Sequence, residues 1–159
     1  VLEETARLRE RLVEVTGGEP LAQPECPALL ARLCDAGHEV LLETSGALDV
    51  GPVDPRVVKI VDLKCPDSGE AARNRWENLG LLGPRDEIKF VIASRVDYEW
   101  ARRIVEEFAL VDKRPTHFSP ADGLIQPAEL ARWILEDRLG VRLQLQLHKR
   151  IWPGRARGI

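Results

Sequence analysis

A glycine pair followed by an acid stands at residues 16–20, where the sequence reads Thr-Gly-Gly-Glu-Pro. Two adjacent glycines let the backbone approach a ligand where a Cβ atom would collide with it, and Glu19 adds a carboxylate beside them. The apolar run at residues 12–15 predicts a preceding strand, and α/β sheets bind ligands at the carboxyl ends of their strands. The motif therefore predicts a small ligand site. The alternative is a tight strand-to-helix turn with a solvated glutamate, because Gly-Gly is also a turn signal.

Polar residues follow the other predicted strands as well. The carboxyl ends of parallel strands all lie at one edge of a sheet, so five separate segments are expected to supply polar groups to a single cleft. The pairs are Thr16 with Glu19, Glu43 with Ser45, Asp62 with Lys64, Ser119 with Asp122, and His148 with Lys149.

Each of these pairs also has an ordinary structural interpretation. Asp62 and Lys64 are equally consistent with a surface ion pair worth under about 1 kcal/mol. Glu43 alone is consistent with a loop acid, and His148 with a partly buried histidine whose ring nitrogen is satisfied.

The three cysteines have no spacing that suits a metal centre. Cys26 and Cys34 fall on one predicted helix, 8 residues apart and therefore about 12 Å apart along its axis. Cys65 follows a strand, no CxxC pattern is present, and the three histidines are scattered. We therefore predict reduced, mostly packed thiols and no metal ligand in these 159 residues.

Strand and helix patterns alternate along the chain, which predicts an α/β fold with a parallel sheet and right-handed crossovers. One strand, residues 57–63, is nearly continuously apolar and is expected to be buried on both faces. Asp97 is the expected N-cap of the helix after the fourth strand. Strands are predicted at residues 12–15, 40–42, 57–63, 88–92, 116–119 and 142–147, and helices at residues 26–36, 71–81, 97–108 and 127–139.

Length and composition predict a single soluble domain, because 159 residues with 44% hydrophobic content can bury a sizeable core. No run approaches the roughly 20 apolar residues of a membrane span, and the acidic, polar start is unlike a signal peptide. A formal charge of −3 with interspersed signs indicates neither nucleic acid nor anionic lipid as a partner. We therefore expect a cytoplasmic protein.

Six segments together resemble one enzyme family. From Thr16 to Ile159 the chain resembles the 7-carboxy-7-deazaguanine synthases, radical S-adenosylmethionine (SAM) enzymes of 7-deazaguanine and queuosine biosynthesis. TGGEP is common to many radical SAM proteins, whereas DLKCP and QLHK together indicate this family. The matching segments are TGGEP at 16–20, LLETSG at 41–46, DLKCPDSG at 62–69, DEIKFVI at 86–92, FSPADG at 118–123 and QLHKRIWPGRARGI at 146–159.

The resemblance implies a partial (β/α) barrel of radical SAM type with a mostly parallel sheet. It implies a lyase that contracts the ring of 6-carboxy-5,6,7,8-tetrahydropterin to give 7-carboxy-7-deazaguanine with loss of ammonia. The implied cofactors are SAM, a 4Fe–4S cluster and Mg²⁺, and the implied partners are a second copy of the chain and an external electron donor such as a flavodoxin.

The resemblance also implies roles for individual residues. Gly18 and Glu19 would receive the amino group of SAM, Glu19 through a charge-assisted hydrogen bond. The remaining SAM contacts would come from Ser45, Asp62, Lys64, Ser119, Pro120, Ala121 and Asp122. The pterin substrate would be bound by Thr16, Glu43, His148 and the terminal carboxylate at Ile159. No catalytic residue is assigned.

The family's three-cysteine cluster loop, which lies ahead of the glycine motif, has no counterpart in this sequence. The chain also lacks methionine, and Val1 starts inside a predicted helix without a capping residue. We therefore expect an N-terminally incomplete chain, with the first strands of the barrel and the cluster and Mg²⁺ ligands upstream of Val1. A valine-coded start is the alternative explanation for the missing methionine.

Two classes of function remain open from the sequence. One is a part of an active synthase, and the other is a degenerate, cluster-less protein that binds a nucleoside or pterin without catalysis. The absent methionine and the uncapped start favour the first. A third and weaker hypothesis takes the basic residues of the tail as an RNA-binding arm; the net charge of −3 favours a solvated or substrate-covering tail instead.

Overall fold

Six parallel strands form one sheet in the computed structural model, which describes residues 1–8 and 10–152. The strands are β1 (Leu12–Val15), β2 (Glu39–Thr44), β3 (Val58–Leu63), β4 (Glu87–Ile92), β5 (Thr116–Pro120) and β6 (Arg142–Leu143). The α-helices are α1 (Leu2–Leu8), α2 (Cys26–Asp35), α3 (Arg95–Glu107), α4 (Leu110–Lys113), α5 (Pro127–Glu136) and α6 (Leu147–Ile151). Short 3₁₀ helices span Pro20–Ala22, Pro66–Ser68, Ala71–Arg73 and Trp76–Gly80.

The strands lie side by side in sequence order, and all five neighbouring pairs are parallel. Right-handed crossovers that always advance in one direction place their helices on the same face of the sheet. Sequence order with helices on one face is the arrangement of (β/α) barrels, whereas doubly wound sheets reverse their strand order. The predicted α/β class and parallel sheet are confirmed.

One face of the sheet is covered by helices and contains the core. Helices α3 and α5 pack on β3, β4 and β5 through residues such as Phe90, Tyr98 and Leu130, all fully buried. Helix α2 packs on β2 in a second cluster around Leu30 and Leu42. Burial of these apolar side chains supplies the main stabilising free energy of the fold.

The opposite face, which we call the open face, carries neither of these two apolar clusters, although β5 is buried on both of its faces. Strands β2 and β4 alternate between buried and partly exposed residues, so every second side chain points to the open face. Strand β3 alternates over its first four residues and is buried over its last three. The expectation of burial on both faces was wrong for its first half, where Val58 and Ile60 remain partly exposed.

Three further expectations about local structure were wrong. Residues 71–81 form two 3₁₀ helices instead of one α-helix. Ser94 caps α3 by accepting hydrogen bonds from the Val96 and Asp97 amides, so Asp97 lies inside the helix, in its first turn. The last strand pairs only at Arg142–Leu143 instead of running to residue 147.

No helix among residues 1–8 and 10–152 is long and apolar enough to cross a membrane.

Candidate active site

The glycine pair lies directly after β1, as predicted, and both glycines have left-handed backbone angles. Gly17 has φ +98° and Gly18 has φ +47°, conformations that residues with a side chain rarely adopt. A Cβ atom added to either glycine would meet no described atom within 4 Å. The turn therefore requires glycine for its backbone conformation, and the space in front of it is open to a ligand.

Glu19 connects the end of β1 to the end of β2. Its Oε1 accepts hydrogen bonds from the Leu21 amide at 3.1 Å and from the Thr44 hydroxyl at 2.8 Å. Its Oε2 accepts from the Ser45 amide at 2.8 Å and from the Ser45 hydroxyl. Burial alone would raise the pKa of Glu19, but the hydrogen bonds from Ser45, Thr44 and Leu21 outweigh burial and lower the pKa below its ordinary value. Glu19 is therefore an ionised group that fixes the positions of two strand ends.

Asp62 and Lys64 form an ion pair at the end of β3, with 2.7 Å between Lys64 Nζ and Asp62 Oδ2. The Asp62 side chain is 13% exposed, so this is not the solvated surface pair of the alternative interpretation. Burial raises the pKa of Asp62 more than Lys64 and Lys89 lower it. The other oxygen, Oδ1, is buried and has no hydrogen-bond partner among the described residues.

Two buried asparagines hold the backbone beside these groups. Asn74 accepts a hydrogen bond from the Lys64 amide and donates one to the Lys64 carbonyl, both at 2.9 Å. Asn78 donates to the carbonyls of Gly46 and Leu48 at 3.0 and 2.8 Å. The 3₁₀ segment that carries both asparagines therefore fixes the ends of β2 and β3, which bear the predicted site residues Ser45 and Lys64.

A cavity of about 280 Å³ lies between the ends of β3 and β4 and the turn after β5. Its walls include Asp62, Lys64, Val91 and Ala121. Ser119 on β5 is the register partner of Val91 and therefore points to the same face of the sheet. Its side chain is fully buried, and its hydroxyl has no partner among residues 1–8 and 10–152. Buried polar atoms without partners are rare in folded proteins, which makes those of Asp62 and Ser119 candidate contacts for a bound polar group.

The open face adds charged residues that the analysis of strand ends missed. Lys89 Nζ lies 2.7 Å from Oε1 of Glu43, and the Thr16 hydroxyl donates to Oε2 of Glu43 at 3.3 Å. His117 Nε2 lies 2.9 Å from Oε2 of Glu87, and burial lowers the pKa of His117 more than Glu87 raises it. The alternation in Glu-Ile-Lys-Phe-Val-Ile at 87–92 was the signal that could have placed Glu87 and Lys89 here.

The other predicted site residues lie in the turn after β5 or in the tail. Pro120 ends β5, and the amide of Ala121 donates to the Ile92 carbonyl at 2.8 Å. Asp122 is exposed and lies 3.8 Å from Lys149 Nζ. His148 lies in α6, but its side chain is outside the described part of the structure, and so is all of Ile159.

The described residues offer no site for an iron–sulfur cluster. No group of three or more His, Cys, Asp or Glu residues within 1–8 and 10–152 is arranged to hold a metal ion. Cys26 and Cys65 are buried, and burial raises the pKa of both thiols above the ordinary value. Packed, protonated thiols do not suit cluster ligation, which requires thiolates.

Comparison with known proteins identifies the family. The chain is 48% identical over 162 residues to the 7-carboxy-7-deazaguanine synthase of Koribacter versatilis, covering 93% of this chain and 72% of the relative. It is 49% identical over 150 residues to the synthase of Chlorobaculum tepidum, covering 92% of this chain and 68% of the relative. No family model matches the chain.

Among solved structures, QueE from Escherichia coli superposes with a TM-score of 0.70 at 23% identity. The superposition covers 91% of this chain and 61% of the QueE chain, so the chain spans about three fifths of that protein. This likeness confirms the expected radical SAM type of fold. On the sequence identities and their coverage, the chain belongs to the 7-carboxy-7-deazaguanine synthase family.

Proposed function

We propose that this chain is the SAM- and substrate-binding part of an active 7-carboxy-7-deazaguanine synthase. The reaction would convert 6-carboxy-5,6,7,8-tetrahydropterin to 7-carboxy-7-deazaguanine with loss of ammonia. Residues 1–159 would form one domain, the C-terminal portion of a radical SAM partial barrel. The observation that carries this proposal is the cleft at the strand ends, where the glycine turn is open and the buried oxygens of Asp62 and Ser119 lack described partners.

The cleft fits SAM in its chemistry. Asp62 offers a buried acceptor to ribose hydroxyls or to a cationic group, and the Ser119 hydroxyl can donate or accept. Lys64 and Ala121 line the same cavity. The remaining SAM contacts are proposed to come from Gly18, Ser45, Pro120 and Asp122. When bound, SAM together with a reduced cluster supplies radical chemistry that side chains cannot. The protein would bind, orient and exclude water.

The family resemblance implies a direct contact between Glu19 and SAM, whereas we give Glu19 a mainly structural role. Its two oxygens already accept hydrogen bonds from Leu21, Thr44 and Ser45. We propose that its main effect is to fix the turn and Ser45, so that the backbone of Gly18 and the Ser45 side chain meet the methionine end of SAM. Any contact of Glu19 with the amino group would add to these bonds.

The substrate would lie over the open face next to SAM. Thr16 and Glu43, which are joined by a hydrogen bond, would bind the pterin ring, and His148 and the carboxylate of Ile159 would complete the site. We also propose that Mg²⁺ assists the reaction, that the protein is a homodimer and that a flavodoxin-like protein donates electrons. Strand β1 lies at the edge of the described sheet, and an edge strand can pair with further chain.

The described cysteines do not fit the 4Fe–4S cluster, so we assign them no part in the reaction. The cluster and Mg²⁺ ligands are proposed to lie upstream of Val1. This separates the functions of the protein: the described residues bind and position SAM and substrate, and the cluster is held elsewhere.

Turnover by the full-length gene product tests the proposal. The protein should be purified without oxygen, reconstituted with iron and sulfide, and supplied with SAM, Mg²⁺, a reductant and 6-carboxy-5,6,7,8-tetrahydropterin. Formation of 7-carboxy-7-deazaguanine, measured by mass spectrometry, is expected. Cluster uptake and SAM binding without product would favour a binding protein instead and would refute the proposal.

A further inference from the structure

Lys89 lies at the middle of the open face, in the central part of the sheet. Its register partners are Asp62 on β3 and His117 on β5. The Lys89 side chain is only 14% exposed. Withdrawing an ammonium group from water is costly unless a partner or a ligand compensates for the lost hydration. The hydrophobic core lies on the other face, so the packing of the helices does not explain this lysine.

The partner of Lys89 is Glu43, whose Oε1 lies 2.7 Å from Lys89 Nζ. The second oxygen of Glu43 accepts from Thr16 at 3.3 Å, at the carboxyl end of β1. Each carboxylate oxygen accepts two hydrogen bonds, so one accepting position remains on each oxygen. The Glu43 side chain is 27% exposed, and a ligand over the open face can therefore reach it.

Two free acceptors side by side suit a ligand edge with two adjacent N–H donors. The 2-amino-4-oxopyrimidine ring of a pterin has such an edge, formed by N3–H and the exocyclic amine. The 7-deazaguanine product keeps the same edge. A carboxylate recognises this edge well only when it is ionised and correctly oriented, because both bonds are charge-assisted and directional.

We propose that Lys89 is the positioning residue that holds the Glu43 carboxylate in the orientation that this edge requires. The inference rests on the proposed function and names the group that fixes substrate recognition. Lys89 is well suited to the task because the strand register places three further acidic side chains on the open face, those of Glu14, Asp62 and Glu87. Without the Lys89 charge, the repulsion among these acids would turn Glu43 away from the site.

Separate titrations of the pterin and of SAM test the inference on the full-length reconstituted protein. Lys89→Met removes the charge and keeps much of the side-chain volume. We expect it to weaken pterin binding about 10- to 100-fold, in the range for one charged hydrogen bond. The Kd for SAM should change less than about twofold, and Lys89→Arg should restore most of the pterin affinity.

Glu87→Gln is the matched control, because Glu87 lies on the same strand and face and its carboxylate likewise contacts a side chain of the neighbouring strand, His117. It should bind the pterin like the wild type. Equal pterin affinity of Lys89→Met and the wild type would overturn the inference. An equal loss of affinity for SAM and for the pterin would also overturn it, because it would indicate a structural role for Lys89. A wild type that binds neither the pterin nor the 7-deazaguanine product would overturn the proposed function itself and the inference with it.

Discussion

Replacing Glu19 by glutamine separates the structural role of this residue from ligand binding. The carboxylate accepts hydrogen bonds from two backbone amides, that of Leu21 on Oε1 and that of Ser45 on Oε2. An amide has one accepting oxygen, and its NH₂ group is a donor. Hydroxyl groups such as that of Thr44 can rotate to accept, but a backbone N–H cannot. Whichever way the glutamine turns, one backbone amide therefore loses its acceptor.

One lost charge-assisted hydrogen bond sets the expected size of the effect. Such a bond contributes about 1.5–3 kcal/mol, so Glu19→Gln should lower the free energy of unfolding by that amount. For a chain of this size, Tm should fall by about 2–4 °C for each kcal/mol. Urea titration followed by circular dichroism measures the first quantity, and thermal unfolding measures the second.

The pH dependence provides an independent check. Folding lowers the pKa of Glu19, because hydrogen bonds from Ser45, Thr44 and Leu21 outweigh the effect of burial. A carboxyl group with a lowered folded-state pKa stabilises the protein above its unfolded-state pKa, and this contribution is lost as the pH falls through the folded-state value. The difference between wild type and Glu19→Gln should thus be complete at pH 7 and shrink below about pH 4.3.

Glu14→Gln is the control, because Glu14 is an exposed residue of β1 with no hydrogen bond or ion pair among the described residues. It should change stability by less than about 0.5 kcal/mol. Equal stability of the two variants from pH 7 to pH 3 would refute the structural role of Glu19. SAM titration of the folded Glu19→Gln protein then measures the combined effect of the displaced turn and of any direct contact: the loss of one charged hydrogen bond to the ligand corresponds to a weakening of about 10- to 150-fold.

Three further substitutions test other parts of the structure. Lys59→Met should lower the free energy of unfolding by about 3–5 kcal/mol in urea titrations. The reason is that the buried carboxylate of Asp86, which lies 3.1 Å from Lys59 Nζ, would lose its cation. A loss under about 1 kcal/mol would contradict this. Gly46→Ala should cost at least about 1–3 kcal/mol, since its Cβ would lie 2.7 Å from Val61 Cγ1 at φ +71°, whereas Gly80→Ala, with open space around it, should be neutral or stabilising. Ser119→Ala removes a buried hydroxyl without a described partner, so stability should be unchanged or higher while SAM affinity falls; unchanged affinity in calorimetry would remove Ser119 from the proposed site.

The sequence predicted the strand ends of the site well, for a physical reason. Apolar runs of four to seven residues identify buried strands, and in a parallel sheet every carboxyl end lies at the same edge. Thr16, Glu43 and Asp62 could be placed together on this basis alone. The contacts of Glu19 with Thr44 and Ser45 could not, because they join positions 25 and 26 residues away in the chain.

The incorrect predictions share one cause, which is that long-range contacts decided the local structure. Residues 71–81 form 3₁₀ helices in which Asn74 and Asn78 hydrogen-bond to distant backbone groups. The alternating residues 142–147 suit a strand, but only Arg142 and Leu143 pair with β5, which ends two residues beyond Phe118 at Pro120, a residue without an N–H to donate. A strand cannot extend beyond its partner without leaving its own backbone groups unpaired.

The core and the site of this protein are determined by the same alternation of side chains. Burial of Ile88, Phe90 and Ile92 under α3 and α5 forces Glu87 and Lys89 onto the open face. A shift of β4 by one residue would exchange the two sets, burying the charges and exposing the apolar side chains. The free energy that selects the register of the core therefore also holds Lys89 beside Glu43. It follows that core substitutions in β4 that loosen this register should weaken pterin binding before they unfold the protein.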